Sequence, residues 1–433
     1  MGSSSQCGSE SGVPISITAR GNAKATGPCN RLIGQTKGTD GPRARTSLGP
    51  GRRRTIVKIL TAVNSLEKGG RTKRILEEVR GLTRLGHEVR IVCFHRPPDW
   101  VLEQVEPDIS WCHHEKTSRG VDFSLLRKLH SEVRTFGADL LHAHCEGSAL
   151  YLGLAGKTSR KRCIATVHRS ELGFYEPRLK NRIFYKFVDA FIAVSHERRD
   201  QMLHGLGVGD RPISVVHWGV DVDSVVAINQ DEARTQLKVK GSPSILSVGH
   251  LGPIKGHDDS IEAFSHVVRV YPDAYLYIAG DGSEGDFKRL QKLIATHSLS
   301  HAVTLLGQVS DVAARFDACD IFLQPSREEA FGLVFIEAGI HGKPVVATRI
   351  GGIPEIVVDQ ETGLLVDIAS PEALAEAIMR LCNDAELRNE MGLAGARRVS
   401  EHFTQTAKVG QLAHFLEAVA TDRKPEPNER LPH

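Results

Sequence analysis

The sequence predicts an α/β protein built from two doubly wound parallel sheets that face a central cleft. Short apolar runs recur along the chain, and the segments between them have helical periodicity, a pattern typical of strands that alternate with helices. A polar stretch at residues 229–232 divides these runs into two series. The 433 residues are also too many for one ordinary core and favour two domains of roughly 150 to 200 residues each. We therefore predict two Rossmann-like domains.

Residues 1–54 precede the first predicted strand and differ in composition from the rest of the chain. They are rich in Gly and Ser, lack aromatic residues and carry many more basic than acidic residues. Such a segment buries too little apolar surface to offset its ordering entropy, so we predict a disordered basic leader. Its composition resembles an organelle transit peptide, and a start codon assigned too far upstream would look the same. Both interpretations stay open.

The first domain is predicted over residues 55–225. It opens with an apolar run at 56–60, followed by the glycine pair Gly69-Gly70 and then by a helical pattern. Further buried strands are predicted at 89–94, 140–144, 163–167 and 190–194. Ligands of a doubly wound sheet gather at the carboxyl ends of its strands. The candidate ligand-binding positions in this half are Gly69, Gly70, His144, His168 and Ser195.

The second domain is predicted over residues 226–405, and a C-terminal helix and tail over 406–433. Its strands are predicted at 245–248, 275–279, 303–306, 321–323 and 344–347. Lys255 lies in the loop after the first of these strands, where a lysine can neutralise a phosphate. An ordinary exposed loop lysine is the alternative. His168 has a similar alternative, a buried histidine whose hydrogen bonds are satisfied inside the core.

A glycine pattern follows the second strand of this domain. Residues 280–285 match G-x-G-x-x-G, the fingerprint of dinucleotide-binding turns. A true dinucleotide site needs an acidic residue at the end of the next strand, but that strand ends in Gly307-Gln308-Val309. We therefore expect Gly280 and Gly282 to form a tight turn that lets the backbone approach a nucleotide, without a nicotinamide site.

Glu329 and Glu337 stand eight positions apart in a segment that is otherwise mostly small or apolar. A strand is predicted to end near Pro325 and a helix to begin near Phe331, which would place Glu329 at the mouth of the helix and Glu337 two turns along it. That spacing corresponds to about 12 Å and suits the two ends of an extended ligand. The helix N-terminus between them would attract an anion such as a diphosphate. Two surface glutamates on an amphipathic helix are the alternative.

Charge and cysteine usage exclude several other functions. The net charge of +3 does not argue for a nucleic-acid partner, and no run of ~18 apolar residues predicts a membrane-spanning helix. The eight cysteines form no C-x-x-C motif, which is typical of free thiols in a reducing compartment, so we expect a cytoplasmic protein. Cys112-His113-His114 lacks zinc-ligand spacing because neighbours on a strand point to opposite faces, and no metal site is predicted.

A basic segment with interleaved aromatic residues runs from Phe174 to Phe187. Such a segment can lie on an anionic membrane surface. An amphipathic helix with its aromatic side chains in the core is the preferred interpretation. Peripheral contact with the inner face of a membrane stays open as the second.

Four motifs of the second half, taken together, resemble one enzyme family. They are Ser326-x-x-Glu329-Ala-Phe-Gly-Leu-x-x-x-Glu337-Ala, Gly342-Lys-Pro-Val-Val-Ala, Gly351-Gly352-Ile-Pro354-Glu355 and Thr362-Gly363-Leu-Leu-Val. This series is similar to the E-x7-E signature region of retaining glycosyltransferases of family 4, which have the two-domain GT-B fold. The resemblance covers about residues 56–403 and is most specific in the second half.

The resemblance implies a role for each residue of the signature. Glu329 would hydrogen-bond hydroxyl groups of the donor sugar, and Glu337 would bind the ribose. The backbone N–H groups of Phe331, Gly332 and Leu333 would bind the diphosphate.

The resemblance also implies roles outside the signature. Lys255 would neutralise the diphosphate, Gly69 and Gly70 would pack against it from the other domain, and His168 would sit beside the reacting sugar. The remaining expected donor-binding residues are His250, Gly280, Gly282 and Val309. Glu329, Lys255 and His168 are thus the catalytic candidates. No cofactor is expected apart from the nucleotide sugar, which is a co-substrate.

The chain departs from the family pattern at three positions. His250 stands where the family usually has an arginine that partners the lysine, so donor affinity is expected to be weaker or pH-dependent, because an imidazole is ordinarily charged only near or below pH ~6.5. Trp218 replaces the usual asparagine. Arg169 replaces a common aspartate after His168.

The function that the resemblance implies is retaining, metal-independent transfer of a hexose-type sugar from a nucleotide diphosphate sugar to a glycan or lipid-linked acceptor. A GT-B sugar-nucleotide epimerase or phosphorylase is one alternative, because it could use the same binding site for a nucleotide or a phosphate. A non-catalytic sugar-nucleotide binding protein is another, because of His250. The sequence identifies neither the sugar, the base nor the acceptor.

Overall fold

The structure is a computed structural model that describes residues 55–67, 70–106, 109–118, 120–169, 172–423 and residue 431. The chain divides into the units Met1–Arg52 and Arg53–His433, and the described residues belong to the second unit. The leader predicted for residues 1–54 therefore lies outside the described residues, as does Gly69.

Seven parallel strands form the first sheet. They are β1 (Lys58–Val63), β2 (Glu88–Cys93), β3 (Ser110–His113), β4 (Leu140–Ala143), β5 (Arg162–Val167), β6 (Ala190–Ala193) and β7 (Ile213–Val215). The connecting helices are α1 (Gly70–Arg84), α2 (Asp99–Leu102), α3 (Phe123–Phe136), α4 (Glu146–Ser159), α5 (Leu179–Phe184) and α6 (His196–Gly205). The spatial order is β3-β2-β1-β4-β5-β6-β7, so the winding reverses between β1 and β4. Ligands of such sheets bind at this reversal.

Six parallel strands form the second sheet. They are β8 (Ser244–Val248), β9 (Tyr275–Ala279), β10 (Val303–Gly307), β11 (Ile321–Gln324), β12 (Val345–Thr348) and β13 (Gly363–Val366). Its helices are α7 (Gln230–Leu237), α8 (His257–Val270), α9 (Glu284–Thr296), α10 (Val312–Ala318), α11 (Leu333–Ile340), α12 (Ile353–Ile356), α13 (Pro371–Asn383) and α14 (Ala385–His402). The order β10-β9-β8-β11-β12-β13 repeats the topology of the first sheet, with its reversal between β8 and β11.

Both sheets have an apolar core on each face. Strand β4 is buried along its whole length, as is typical of a parallel strand covered by helices on both sides. Its Leu140 and Leu141 enter the cores on opposite faces, because successive side chains of a strand alternate. The predicted fold class, two parallel Rossmann-like sheets, is confirmed.

The last helix, α15 (Gln405–Ala420), returns to the first sheet. Its Leu412 and Leu416 pack in the same core cluster as Ile59 and Leu140. This helix therefore ties the end of the chain to the first domain. The boundaries predicted for the domains stay predictions.

The basic aromatic segment lies around helix α5. Tyr175 and Tyr185 are buried in the first core, whereas Leu179 and Ile183 are 75% and 49% exposed. The expectation that the aromatic side chains pack inward is met for both tyrosines. Among the described residues, no helix is both long and apolar enough to cross a membrane.

Candidate active site

An ion pair joins the two loops at the reversal of the second sheet. Lys255 ends the short 3-10 turn Pro253–Lys255 that follows β8, and Glu329 lies in the loop that follows β11. The Lys255 Nζ atom is 2.6 Å from Glu329 Oε2, and both side chains are largely buried. The two catalytic candidates of this domain, 74 positions apart in the sequence, are therefore in direct contact.

Backbone contacts hold these loops together. Gly256 has φ +70°, and a Cβ atom there would lie 1.9 Å from the carbonyl oxygen of Pro325, so only glycine fits. The Arg327 N–H donates to the Ile254 carbonyl oxygen at 2.8 Å. The Gln324 side chain donates to the Lys255 carbonyl oxygen at 2.7 Å. The position of Lys255 relative to Glu329 is thus fixed by main-chain geometry.

The helix after Glu329 begins at Leu333, two residues later than predicted. Gly332 precedes it with φ +101°, in the left-handed region, which delays the first helical turn. Glu337 is consequently about one turn along the helix, and the expectation of two turns was wrong. Among the described residues, the N–H groups of Phe331, Gly332 and Leu333 have no hydrogen-bond acceptor. Free N–H groups at the start of a helix are suited to binding an anion, and this role of the three residues stays a prediction.

The first domain faces this helix start. A Cβ atom built at Gly70, the first residue of α1, would lie 3.8 Å from the Cδ1 atom of Leu333. A cleft of about 350 Å³ opens next to this contact, lined chiefly by the first domain and by Ile254 of the second. Its lining includes Arg71, His144, His168 and Trp218.

The histidines of the cleft form a continuous stack. His144 Nδ1 is 3.1 Å from His168 Nε2. The His168 ring stacks on Trp218 with 5.5 Å between centroids, and Trp218 meets Phe331 of the second domain edge-on at 5.9 Å. Burial lowers the pKa of His168 to about 3 and holds the pKa of His144 well below its usual range. These imidazoles are therefore neutral at physiological pH.

A buried carboxylate lies beneath the stack. Glu78 of α1 has its Oε1 atom 3.3 Å from His142 Nδ1 and 3.6 Å from His144 Nε2. Burial raises the pKa of Glu78 to about 8 and lowers the pKa of His142 to about 3. Glu78 and the two histidines next to it thus carry little charge at physiological pH.

Glu355 connects the two domains directly. Its carboxylate accepts the N–H of His196 at 2.8 Å and the Nε2–H of His217 at 2.7 Å. Since His196 starts α6, a residue of the second domain caps a helix of the first. Burial raises the pKa of Glu355, but the hydrogen bonds from His217 and the His196 backbone outweigh it, and the pKa is lowered. Ser195, a sequence candidate, is the N-cap of the same helix and accepts the Arg198 N–H.

Arg198 makes a further hydrogen bond between the two domains. Its side chain is fully buried and donates to the Glu329 carbonyl oxygen at 2.8 Å. Gly351 supports the same carbonyl from the other side, because a Cβ atom there would lie 1.8 Å from it. The backbone of Glu329 is therefore fixed by one residue from each domain.

Two family models match consecutive parts of the chain. The model of Glycosyltransferase Family 4 matches residues 68–224, and that of Glycosyl transferases group 1 matches residues 229–398. An uncharacterized glycosyltransferase of Methanocaldococcus jannaschii is 31% identical over 294 residues, which are 65% of this chain and 77% of that protein. The chain belongs to glycosyltransferase family 4. The resemblance read from the motifs is confirmed.

Other members of the family are also similar over most of their length. N-acetyl-alpha-D-glucosaminyl L-malate synthase of Bacillus anthracis is 27% identical over 79% of this chain and 92% of its own. The crystal structure of Anabaena HepE in complex with UDP superposes with a TM-score of 0.75 at 21% identity, over 83% of this chain and all of HepE. A glycosyltransferase from Rickettsia africae superposes with a TM-score of 0.73 at 23% identity, covering 84% of this chain and 98% of its own. These structures show that the fold is GT-B.

The remaining predicted donor-binding residues of the glycosyltransferase lie near the carboxyl ends of the strands of the second sheet, as Lys255 and Glu329 do. A Cβ atom at Gly280 would lie 1.7 Å from the Gly249 carbonyl oxygen, so this glycine makes room for the loop after β8. Gly282 packs in the same way against Leu251. Val309 is half-buried beyond the end of β10. The backbone that approaches Gly280 is thus the protein's own, and nucleotide contact by these residues stays a prediction.

His250 is exposed at the end of β8, and its Nδ1 atom accepts the Gly252 N–H at 3.0 Å. The ring therefore closes the turn of its own loop. Its expected role beside the diphosphate stays a prediction.

Sequence reasoning missed the residues that join the domains. Arg198 and Glu355 were not candidates for function, although Glu355 lies within one of the quoted motifs. Their partners are 131 and 159 positions away, so no local spacing could reveal the contacts. Glu78 was also missed, because it looks like one of several charged residues of an amphipathic helix.

Proposed function

We propose that this glycosyltransferase moves a hexose-type sugar from a nucleoside diphosphate sugar to a glycan or lipid-linked acceptor with retention of configuration, and that no metal ion is needed at the diphosphate. The observation that carries the proposal is the contact between Lys255 and Glu329, made next to a helix start with free N–H groups. The Lys255 ammonium group, the Glu329 carboxylate, which can accept hydrogen bonds, and the free N–H groups of the helix start lie close together in the cleft. This combination suits a sugar attached to a diphosphate.

The donor would lie across the start of helix α11. Its diphosphate would accept hydrogen bonds from the N–H groups of Gly332 and Leu333, and the Lys255 ammonium group would neutralise the charge that develops as the diphosphate leaves. The Glu329 carboxylate would accept hydrogen bonds from the sugar hydroxyls. Glu337, one turn further along the helix, would bind the ribose.

The reaction would break the bond between the anomeric carbon and the diphosphate oxygen before the acceptor attacks from the same face. The anomeric carbon would pass through an oxocarbenium-like state, and the leaving phosphate would take the acceptor's hydroxyl proton. His168, which is half-buried and is kept neutral by its lowered pKa, would position the sugar without competing for that proton. Trp218, stacked on His168, would keep its ring in place.

Similar proteins support the classes of donor and acceptor. Crystal structures of HepE contain UDP and UDP-glucose, which makes uridine nucleotide sugars the first donors to test. The GDP-mannose-dependent alpha-(1-6)-phosphatidylinositol monomannoside mannosyltransferase of Mycobacterium tuberculosis is 28% identical over 62% of this chain and 74% of its own. Exposed Leu179 and Ile183, which flank basic Lys180 and Arg182, fit peripheral contact with the cytoplasmic face of a membrane that carries such an acceptor.

The first test compares the buried ion pair with an exposed one. Lys255→Ala and Glu329→Ala should each reduce release of nucleoside diphosphate in the presence of acceptor by at least about 1,000-fold, because each removes a charged contact in a site sheltered from water. Lys288 and Glu284 form a surface pair at 2.5 Å, so Lys288→Ala and Glu284→Ala are matched controls that should keep full activity.

The assay would follow nucleotide release from a panel of nucleotide sugars, with products identified by mass spectrometry and folding checked by thermal unfolding. Near-normal rates in either folded variant of the buried pair would refute the mechanism. Turnover that needs only inorganic phosphate or water, with no sugar acceptor, would point instead to a phosphorylase or an epimerase.

A further inference from the structure

The first domain contains a second group of polar side chains that the transfer reaction does not use. Glu78 projects from α1, and His142 and His144 project from the end of β4. The two histidines are two positions apart on a strand, so their side chains lie on the same face of the sheet. Helix α1 covers that face and brings Glu78 to both rings.

Three atoms of this group converge without satisfying one another. Glu78 Oε1, His142 Nδ1 and His144 Nε2 all lie within 4.8 Å of each other. Each of the three atoms is buried, and none makes a hydrogen bond to another described residue. Buried polar atoms in proteins almost always have a partner, and each orphan costs free energy. Three orphaned atoms aimed at one point therefore indicate a missing common partner.

The opposite nitrogen of each ring is already engaged. His142 Nε2 lies 2.7 Å from the Thr166 hydroxyl, and His144 Nδ1 lies 3.1 Å from His168 Nε2. Metal-binding histidines have this arrangement, since one nitrogen binds the ion while the other is held by an outer partner that fixes the ring.

We propose that Glu78, His142 and His144 bind a divalent transition-metal ion, with Zn²⁺ as the reference case. Two histidines and one glutamate are an established zinc ligand set that leaves a position open for water. Ligand bonds of ~2.0–2.1 Å in tetrahedral geometry place ligand atoms about 3.3 Å apart. The observed separations of 3.3 and 3.6 Å from Glu78 Oε1 match this spacing.

The ion would act on the reaction indirectly. With Nε2 of His144 bound to the metal, its Nδ1 carries the proton and donates to His168 Nε2, which leaves the proton of His168 on Nδ1. The metal would thus fix the tautomer of the residue proposed to lie beside the reacting sugar, a consequence that rests on the proposed function. Neither Lys255 nor Glu329 belongs to the proposed metal site, so the diphosphate would still be bound without a metal ion.

Two other groups of potential ligands serve as internal controls. Cys112, His114 and Glu132 lie together on the first domain, but His114 Nε2 already contacts Glu132 at 3.1 Å. His196, His217 and Glu355 form the second group, in which the Glu355 carboxylate already accepts hydrogen bonds from the His217 ring and from the His196 backbone N–H. Neither group offers three orphaned atoms.

The test uses the purified chain stripped with a chelator and titrated with Zn²⁺. We expect the unmodified chain to bind one equivalent of Zn²⁺. Relative to it, Glu78→Leu should bind Zn²⁺ at least about 100-fold more weakly, and His114→Ala should bind it with unchanged affinity. Crystals soaked in Zn²⁺ provide a readout that needs no variant, namely an anomalous peak between Glu78 and the two histidines. Two-bond proton–nitrogen NMR of labelled histidine should show His168 protonated on Nδ1 in the zinc-bound protein.

The proposal is overturned if the stripped chain binds no Zn²⁺, if Glu78→Leu binds it as tightly as the unmodified chain, or if the anomalous peak lies at Cys112 or at Glu355 instead. Zinc that binds at Glu78 without fixing the His168 tautomer would overturn the link to the reaction. Loss of transfer in Lys255→Ala tests the proposed function separately, because that variant should bind zinc normally.

Discussion

The two sides of the cleft are built in opposite ways. On the second domain, an ion pair between Lys255 and Glu329 is held by loops whose main chains touch each other. On the first domain, the buried and neutral imidazoles of His142 and His144 lie beside the Glu78 carboxyl group, which comes from a separate helix. The geometry of the second side is therefore fixed by main-chain contacts between two loops, whereas that of the first side depends on side chains that the topology brings together. We therefore expect the second side to be most sensitive to substitutions that displace the main chain, and the first side to substitutions that remove a side chain.

Among substitutions outside the ion pair itself, the largest effect is expected from adding a single methyl group next to the Glu329 backbone. Gly351→Ala would place a Cβ atom 1.8 Å from the Glu329 carbonyl oxygen, at a residue with φ +61°. The Glu329 loop must move to avoid this overlap, and a shift of about 1 Å at a reacting centre can cost ~100-fold in rate. We expect at least that loss in kcat/KM, measured by nucleotide release.

Gly86→Ala separates the clash from the backbone strain. Gly86 also has a positive φ, of +93°, but a Cβ atom there would meet no other atom within 4 Å. This variant should lose about 1 kcal/mol of unfolding free energy, the cost of left-handed backbone in a residue other than glycine, and keep its activity. Equal activity losses in the two alanine variants would show that the contact under Glu329 is unimportant.

An intermediate effect is expected where the two sides are joined. Glu355→Ala removes the carboxylate that caps α6 from the other domain and accepts from His217. Loss of hydrogen bonds to a charged group costs about 1.5–3 kcal/mol, so the arrangement in which Glu355 joins the two domains should become less populated. KM for the donor should therefore rise about tenfold or more. Small-angle scattering should show a larger radius of gyration.

Asp384→Ala is the control for the loss of a helix cap. Asp384 accepts the Leu387 N–H at 2.9 Å at the start of α14, a contact that stays within the second domain. Its removal should cost about 1 kcal/mol of stability and leave KM unchanged. If both variants raise KM alike, Glu355 acts only as a cap and does not hold the cleft closed.

The contrast between the two sides also explains what the sequence could predict. Periodicity located five strands of each sheet, because buried parallel strands are short apolar runs, but it missed β3, β7 and β13. The role of Lys255 was accessible because it lies in the loop at the end of β8, and the signature around Glu329 is contiguous. The start of α11 was misplaced because Gly332 adopts a conformation that a residue pattern does not specify. Glu78 escaped notice because its partners belong to a strand more than 60 residues away in the chain.

The smallest effect is expected at His250, the position where the second side departs from its family. The ring is exposed, and its Nδ1 atom already accepts the Gly252 N–H. His250→Arg would supply a permanent charge and two donors near the diphosphate, so KM for the donor should fall about threefold at neutral pH.

His301→Arg makes the same change at the opposite end of the second sheet, just before β10 begins. It controls for the added positive charge and should leave KM as it is, because ligands of such a sheet bind at the carboxyl ends of its strands. A similar drop in KM for both variants would mean that the gain comes from general attraction of an anionic donor. A drop for His250→Arg alone would place residue 250 beside the diphosphate and would show that the weaker clamp can be restored by one side chain.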